Sequence, residues 1–522
     1  MKRFISISIL IIAGFLAGAK NPAMYFIYLS DKADNGYDLA HPEMFLSQRA
    51  LDRRARLGIQ VDSTDMPVTK AYINQVTTTG AQLFHSSRWM NGLLIWADNE
   101  QINVVKNLDC VDSVDMIRPS SASKFNIKSK VKKEKTNDSE TSQWDDQNRQ
   151  INVQKLHQAG FRGQGILTAV IDCGYIGVDQ TSGFDSLRRR NGITDTYDFI
   201  RKSNNVYDYH SHGTSVLSTM AYIVPNEFTG SAPDADYCLY ITENNNEEYL
   251  YESDLWILAA ERADSIGADV ITSSLGYFYT DDEDPRFVYA NMNGTFFRAS
   301  LAAQMSSQKG ILTLIAAGNE GNNDWRYIGT PADAKDILTV GGVDMYGEHS
   351  SFSSYGPSAD GRIKPDICAR ATQSTVSDCY SGELKTSNGT SFATPVAAGM
   401  VTSLLSALPN VDTETLRNVI CSTASQCDKP NDSLGYGIPD AWKVYSMLKD
   451  VQETDETTAE SDIKAWFEGN VLRISGYGGM YELIDCGGKV VLRGIGDAGL
   501  DDMQSGIYFL KCGNKVVKLV HK

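Results

Sequence analysis

The stretch Ile166-Leu-Thr-Ala-Val-Ile-Asp-Cys-Gly174 decides the fold, because an apolar, β-branched run ends there in a carboxylate and a glycine. Similar apolar runs follow with helical stretches such as 254–266 and 295–308 between them, and they cover 270–272, 311–315 and 337–340. Continuous apolar strands that alternate with helices predict a parallel sheet covered by helices on both faces. The predicted fold class is therefore α/β. Ligands are expected at the carboxyl ends of its strands, where Asp172 lies.

Two further motifs each open a predicted helix and carry side chains suited to acyl transfer. They are His210-Ser-His-Gly-Thr214 and Asn388-Gly-Thr-Ser-Phe-Ala-Thr-Pro395, and the final proline is expected in the first helical turn. A serine hydroxyl becomes a nucleophile when an imidazole takes its proton, and a buried carboxylate fixes the tautomer of that imidazole. Asp172, His212 and Ser391 are therefore a candidate triad. The helix N-terminus at Ser391 favours developing negative charge.

A fourth candidate is Asn319, which ends another apolar strand in Ala316-Ala-Gly-Asn-Glu-Gly321 and could donate its amide to the same oxyanion. Each element alone has an ordinary explanation, since a serine that starts a helix is usually its N-cap and an aspartate at a strand end often caps or turns. The pair His210-x-His212 suggests a metal, but no clear third ligand accompanies it. The three motifs in this order favour catalysis.

The order Asp, His, Ser within D-x-G, H-G-T and G-T-S-x-A-x-P resembles the subtilisin family of serine proteases. The resemblance spans about 152–441 and includes Gly230-Ser-Ala-Pro233 and Gly435-Tyr-Gly437. It implies that Asp172 orients the imidazole, that His212 is the general base and acid, and that Ser391 is the nucleophile. It also implies that Asn319 supplies the side-chain donor of the oxyanion hole.

The same resemblance implies a substrate cleft along Ser274, Leu275, Gly276 and Gly329, where an extended peptide pairs as a strand. A glycine at position 329 suggests an open pocket floor and hence bulky apolar side chains before the cleaved bond. Cys173 departs from the family, which usually has Ser or Thr there. We expect a small buried residue, and the alternative is a thiol near the site that confers sensitivity to mercurials.

The chemistry requires no cofactor, but many members of the family bind structural calcium. Candidate segments are 281–284 (Asp-Asp-Glu-Asp) and 291–294 (Asn-Met-Asn-Gly). Neither has EF-hand spacing, and a solvated acidic loop is the alternative.

Residues 1–19 have the form of a secretory signal, with a basic start, an apolar run from Phe4 to Leu16, and Ala-Gly-Ala before the cut. The alternative is an N-terminal membrane anchor, for which the run is short. Export predicts a secreted or cell-surface protein with no membrane span in its mature form. The nine cysteines, which show no C-x-x-C spacing, could then form disulfides.

Residues 20–118 mix strands and helices and predict a small α+β domain. A helix is expected from Pro42 to Gly58, with the following arginines mostly facing water: Arg49, Arg53, Arg54 and Arg56. The segment resembles a subtilase propeptide of the Bacteroidetes type, which implies a foldase and temporary inhibitor. Residues 119–148 are rich in Lys and poor in apolar side chains, which predicts an exposed linker that contains the processing site.

The protease domain is expected over 149–449, followed by an acidic linker at 450–462 and a small β-module at 463–522. Ser505-Gly-Ile-Tyr-Phe509 and Lys515-Val-Val-Lys518 resemble the C-terminal sorting domain of the type IX secretion system, which implies a partner in the secretion machinery. A generic β-accessory module is the alternative.

Composition and motif order exclude several other classes. The 522 residues are 42% hydrophobic and 22% charged, as in ordinary globular proteins, and the net charge of −17 argues against nucleic-acid binding. An esterase of the α/β-hydrolase type would have its serine first, within G-x-S-x-G. The predicted function is a secreted serine endopeptidase, made as a zymogen, whose partners are protein or peptide substrates and its own propeptide. A catalytically silent binding module on the same fold is the alternative.

Overall fold

The computed structural model describes residues 22–120, 146–457, 463–475, 481–486, 489–494, 496–500, 503–512 and 515–521. The signal segment, most of the 119–148 linker and the end of the acidic linker lie outside these residues. The chain divides into two compact units. The first contains 1–45, 62–126 and Tyr249–Tyr251, and the second contains 46–61, 127–248 and 252–522.

The first unit is built on a four-stranded antiparallel sheet. Its strands lie in the order Gln82–Ser87, Gly92–Ala97, Ala23–Leu29 and Val111–Arg118. Helices Lys70–Thr78 and Asn99–Val105 contribute Val76 and Ile102 to the core beneath this sheet, and a 3-10 turn covers Ser63–Asp65. The sequence predicts the mixed α+β character but not the helix at 70–78.

The helix predicted from Pro42 to Gly58 is interrupted. A 3-10 turn covers Pro42–Met44, and an α-helix then runs over Gln48–Leu57, where the Oγ of Ser47 accepts the backbone N–H of Ala50 at 3.2 Å. Gly58 ends this helix with a left-handed φ of 68°. The prediction that its arginines mostly face water is wrong for Arg53 and Arg54, each of which is 1% exposed.

The second unit contains a seven-stranded, wholly parallel sheet flanked by helices, which confirms the predicted fold class. From edge to edge its strands are Ile367–Arg370, Leu338–Val343, Leu312–Ala316, Val270–Ser273, Leu167–Asp172, Asp236–Ile241 and Ile193–Asp198. Besides Gln48–Leu57, the described residues of this body form the α-helices Asp146–Gln150, Val153–Gln158, Asp185–Arg189, His212–Ala221, Leu250–Ile266, Arg298–Gln308, Thr390–Ala407, Thr413–Thr423 and Ala441–Thr457. Shorter elements are the 3-10 turns Ser182–Phe184 and Tyr289–Asn291 and the strand pairs Ile223–Val224 with Phe228–Thr229 and Ser374–Ser377 with Leu384–Ser387.

Helix Thr390–Ala407 is deeply buried, since every residue from Thr390 to Leu404 is shielded from solvent. Its small side chains allow close packing. A Cβ added to Gly399 would lie 1.9 Å from the Oγ of Ser231, so the Gly230-Ser231 segment can touch the helix only at a glycine. Because its first fifteen residues are buried, the N-terminal end of helix Thr390–Ala407 is held in place by the packing around it.

The C-terminal module forms two small antiparallel sheets. One contains Lys464–Glu468, Val471–Ser475 and Ala498–Gly499, and the other contains Val490–Gly494, Tyr481–Asp485, Gly506–Cys512 and Lys515–His521 in that order. Ile507 and Phe509 belong to the same hydrophobic core as the central sheet, and the ammonium of Lys518 lies 3.0 Å from the carboxylate of Asp412. The predicted acidic linker is helical up to Thr457, so a helix rather than an extended chain leads toward the module.

All nine cysteines are present as free thiols. Among the described residues, no helix combines the length and apolar character that crossing a membrane demands.

Candidate active site

Asp172 and His212 are joined by a hydrogen bond at the carboxyl end of the central sheet. Asp172 closes strand Leu167–Asp172 and is fully buried, and its Oδ1 lies 2.7 Å from His212 Nδ1. The backbone N–H of Cys173 donates to the same oxygen at 2.7 Å. Because a carboxylate only accepts, Nδ1 of a neutral His212 carries the proton in this pair and Nε2 remains as the base.

Glycines bring the two segments that carry these residues together. A Cβ on Gly174 would lie 2.6 Å from the backbone nitrogen of His210, and one on Gly213 would lie 2.7 Å from the carbonyl oxygen of Gly174. The glycines of the D-x-G and H-G-T motifs thus permit a backbone contact that any side chain would block. His212 is the first residue of helix His212–Ala221.

Ser391 is the second residue of helix Thr390–Ala407 and lines the same cleft as His212. Its side chain stands where the backbone N–H groups of the first helical turn have no intrahelical acceptor. The ring of Phe392 packs 6.0 Å from the imidazole of His212, centre to centre. The structure therefore brings His212 and Ser391 to one cleft, and buried Asp172 is joined to that cleft through its hydrogen bond with His212.

Pro395 is the sixth residue of its helix, not a residue of the first turn as the sequence suggests. A proline there cannot donate to the carbonyl four residues earlier, which is that of Ser391. The hydroxyl of Ser274 donates to this carbonyl instead, at 2.8 Å. The nucleophile candidate is thus tied to the predicted substrate-binding segment.

The amide of Asn319 is oriented by the same helix start. Its Oδ1 accepts the backbone N–H of Thr390 at 2.9 Å and the Oγ1 of Thr390 at 3.1 Å. With the oxygen edge held there, Nδ2 is the remaining edge of the amide and can serve as a donor. Asn319 is exposed and lines the cleft beside Ser391.

The predicted substrate-binding residues Ser274, Leu275, Gly276 and Gly329 all line this cleft of about 500 Å³. A Cβ on Gly329 would lie 2.6 Å from the carbonyl oxygen of Tyr277. The glycine is therefore required by a backbone contact. Its presence does not indicate an open pocket floor, so the expectation of bulky apolar side chains loses its basis.

Cys173 also lines the cleft and is half-buried. Burial, and then the neighbouring charge of Asp172, raise the pKa of its thiol well above the ordinary value. The thiol is therefore protonated near neutral pH, which makes it a poor nucleophile. This environment favours the expected small structural residue over a reactive thiol, although the side chain is half-buried and not fully buried as expected.

One wall of the cleft is acidic, a feature absent from the sequence-based prediction. Ligand oxygens of Glu243, Glu248 and Glu252 lie within 4.8 Å of one another, a spacing that could hold a metal ion. The Oε1 of Glu243 accepts hydrogen bonds from Tyr277 Oη at 2.7 Å and Thr242 Oγ1 at 2.9 Å. The sequence does contain a pattern that indicates this acidic wall. The run Glu-Asn-Asn-Asn-Glu-Glu at 243–248 follows strand Asp236–Ile241, and ligands bind at the carboxyl ends of the strands of such a sheet.

Burial raises the pKa of Glu243 to about 7, and the nearby charge of Asp172 adds to this effect. Burial also raises the pKa of Glu248 well above its ordinary value, with further contributions from Glu243 and Asp281. A negative charge in this wall is therefore costly as long as nothing positive faces it.

The two predicted calcium segments do not fit a calcium site. Both oxygens of Asp284 are engaged by the guanidinium of Arg286, and Asp281 accepts the backbone N–H of Glu248 at 3.0 Å. Asn293 Oδ1 is engaged by Thr295. In the described part of the chain, neither segment gathers three acidic side chains of ligand spacing.

The family follows from comparison with known proteins. The model of the subtilase family (peptidase S8) matches residues 115–437, and that of the Bacteroidota peptidase S8 propeptide domain matches 24–138. Since the first match covers more than half of the chain, the protein belongs to the subtilase family of serine-type endopeptidases. The family recognised in the sequence is confirmed, together with its Bacteroidota-type propeptide.

Individual relatives agree with this assignment. A thermostable alkaline protease of Halalkalibacterium halodurans is 29% identical over 54% of this chain and 68% of its own length. Subtilisin NAT of Bacillus subtilis subsp. natto is 30% identical over 53% and 65%, and bacillopeptidase F of Bacillus subtilis is 24% identical over 76% and 28%. The chain thus spans less than two thirds of the last two relatives. Among solved structures, the MycP3 protease of the type VII (ESX-3) secretion system matches 57% of this chain and 87% of its own, at 20% identity and a TM-score of 0.45.

Proposed function

We propose that this chain is the precursor of a secreted endopeptidase that cleaves peptide bonds with the triad Asp172, His212 and Ser391. The observation that carries the proposal is the 2.7 Å hydrogen bond from His212 to buried Asp172 in a cleft that Ser391 also lines. A catalytically silent binding module would have no need of this arrangement.

In the proposed reaction, Nε2 of His212 takes the hydroxyl proton of Ser391 while Oγ attacks the carbonyl carbon of the substrate. The negative charge that forms on the carbonyl oxygen is stabilised by the Ser391 backbone N–H and by Nδ2 of Asn319. The C–N bond then breaks, and His212 returns its proton to the leaving amine. Water repeats the sequence on the acyl-enzyme, which releases the acid and restores the serine.

An extended substrate backbone is proposed to lie along Ser274, Leu275 and Gly276, as the cleft lining permits. The chemistry needs no cofactor. The acidic wall at Glu243 and Glu248 would favour a substrate with a cationic group on that side, because such a group would offset the raised pKa values there.

The remaining features of the proposal concern maturation and destination. The propeptide match over 24–138 supports a zymogen that is cut in the 119–148 linker. The sequence of residues 1–19 supports export, and the likeness of 463–522 to a type IX sorting domain supports delivery by that machinery to the cell surface or beyond.

The test compares wild type with Ser391→Ala, both expressed without other proteases. Wild type should react with a fluorophosphonate probe and yield a mature N-terminus between about residues 119 and 152, as read by N-terminal sequencing and intact mass. Ser391→Ala should accumulate as an unlabelled precursor. Ser387→Ala, four residues earlier, is the matched control and should behave as wild type. A Ser391→Ala protein trimmed as fast as wild type would refute self-processing, and an unlabelled wild type would favour the silent module.

A further inference from the structure

Three side chains that can each bind a metal meet at the carboxyl end of strand Leu167–Asp172. They are Asp172, Cys173 and His212, and each has a ligand atom within 4.8 Å of those of the other two. A tetrahedral zinc site holds its nitrogen, sulfur and oxygen ligands about 2.0–2.3 Å from the metal, and therefore about 3.3–3.7 Å from one another. Movements of about 1 Å would bring these three atoms onto one ion. Imidazole, thiolate and carboxylate are all ligands that Zn²⁺ accepts in proteins.

One oxygen of the Asp172 carboxylate has no hydrogen-bond donor. Oδ1 accepts from His212 Nδ1 and from the backbone N–H of Cys173, each at 2.7 Å, whereas no described residue donates to Oδ2. Because Asp172 is fully buried, this oxygen has lost its hydration without gaining a partner. The neighbouring Cys173 offers only a thiol, which is a weak donor. A cation held by Asp172 and Cys173 would stabilise the carboxylate better than that thiol does.

The three side chains adjoin a cleft that attracts cations. Cys173 and His212 both line it. The charges of three glutamates raise the pKa of the Cys173 thiol further, after burial and the charge of Asp172. A divalent cation would offset this negative potential. The described lining has no lysine or arginine but has six carboxylate side chains, which are Glu243, Glu247, Glu248, Glu252, Asp281 and Glu320.

We infer that Asp172, Cys173 and His212 form a reversible binding site for a thiophilic divalent cation of the zinc class, and that the bound cation switches off the proposed catalysis. The binding itself is inferred from the ligand geometry and does not depend on what the protein does. The inhibition rests on the proposed function, because it requires that His212 act as the base.

The movement of protons on binding explains the inhibition. The cation forms bonds to Cys173 Sγ, His212 Nδ1 and a carboxylate oxygen of Asp172. The thiol proton passes to solvent, and the proton on Nδ1 is replaced by one on Nε2, so the imidazole stays neutral. Nε2 is then an N–H donor and cannot accept the hydroxyl proton of Ser391. Thiolate and carboxylate together balance the two positive charges, which leaves a neutral site suited to burial.

Binding is measured in full-length Ser391→Ala protein, which cannot digest itself. Co²⁺ is the probe, because a cobalt–thiolate bond has a charge-transfer absorption that carboxylate ligands do not give, and Zn²⁺ should displace the Co²⁺. Cys173→Ser should abolish the absorption and weaken Zn²⁺ binding at least about 100-fold, since even the loss of an outer-shell partner typically costs 10–100-fold. His212→Ala should weaken binding as well, which a site made by the thiol alone would not show.

Two matched controls test where the cation binds. Cys427→Ser removes a half-buried thiol that does not line the cleft, and Glu248→Gln removes one carboxylate of the acidic wall. Both variants should keep the cobalt–thiolate absorption of the parent. Near-UV circular dichroism and thermal unfolding establish that every variant is folded.

Inhibition is measured with mature wild type and Cys173→Ser on a peptide substrate, and each rate is expressed relative to the same protein in a chelator. Zn²⁺ should stop the wild-type reaction, and excess chelator should restore it. Cys173→Ser should need at least about 100 times more Zn²⁺ for the same inhibition. A wild type that binds Zn²⁺ and keeps its rate would overturn the inhibition.

The site itself would be overturned by a parent without cobalt–thiolate absorption, or by an absorption that persists in Cys173→Ser. Unchanged affinity in His212→Ala, or loss of the absorption in Glu248→Gln, would also contradict it. Because the binding measurements lack Ser391, a failure of the proposed catalysis would not alter them. An inactive wild type with an intact cobalt site would refute the proposed function alone.

Discussion

Replacing Glu243 by glutamine should stabilise the protein at alkaline pH but much less in acid. Glu243 has an ordinary pKa of 4.5 when unfolded and one of about 7 when folded, raised mainly by burial. Between these values the folded state keeps a proton that the unfolded state has lost, so stability falls as pH rises. Above pH 7, this difference between the folded and unfolded pKa lowers the free energy of unfolding by about 3 kcal/mol. Glutamine retains the oxygen that accepts from Tyr277 and Thr242 but carries no charge.

The assay is thermal unfolding in the Ser391→Ala background, which prevents self-digestion. Between about pH 5.5 and 8.5 the advantage of Glu243→Gln should grow by about 2 kcal/mol, which is a rise of roughly 2 °C in the Tm difference for a unit of this size. Glu227→Gln removes the same charge from an exposed turn and should show no such trend. An equal Tm difference at both ends of the pH range would refute the reasoning.

Two further predictions concern turnover and the C-terminal module. Asn319→Ala should lower kcat by roughly 10²–10³ with little change in KM, which is the loss known for the corresponding donor of subtilisin itself; an unchanged kcat in the folded variant would remove Asn319 from the mechanism. Phe509→Ala should destabilise the catalytic unit by about 3–5 kcal/mol, because Phe509 is buried in the core that this unit shares with the module. The control is Val520→Ala at a half-exposed position. If Phe509→Ala left the Tm of the catalytic unit unchanged, the core of the module would be independent of the core of that unit.

The sequence was sufficient for features that depend on local pattern. The apolar strand that ends at Asp172 and the helices that begin near His212 and Ser391 could be predicted because strand ends and helix starts have their own signatures. The parallel sheet then required that these ends meet at one edge. That is why the catalytic cleft could be assembled from separate motifs.

Features that depend on distant partners could not be predicted. Arg53 and Arg54 look like the wet face of an amphipathic helix, and nothing near them in the sequence indicates that Asp264 will bury both. The same holds for Phe509, whose alternating strand pattern predicts a half-buried sheet but not the core that it joins. The position of Pro395 differs from the prediction by one turn, because helix boundaries are the least certain part of a local pattern.

The hydrogen bond from Ser274 to the carbonyl of Ser391 exists because Pro395 leaves that carbonyl without its helical donor. One side chain of the cleft wall therefore also holds the backbone of Ser391, the proposed nucleophile. Under the proposed mechanism, a substitution at position 274 that is meant to change the substrate would also shift the proposed nucleophile. The proposed mechanism therefore couples substrate selectivity to turnover at this position, so that a change in one is expected to change the other.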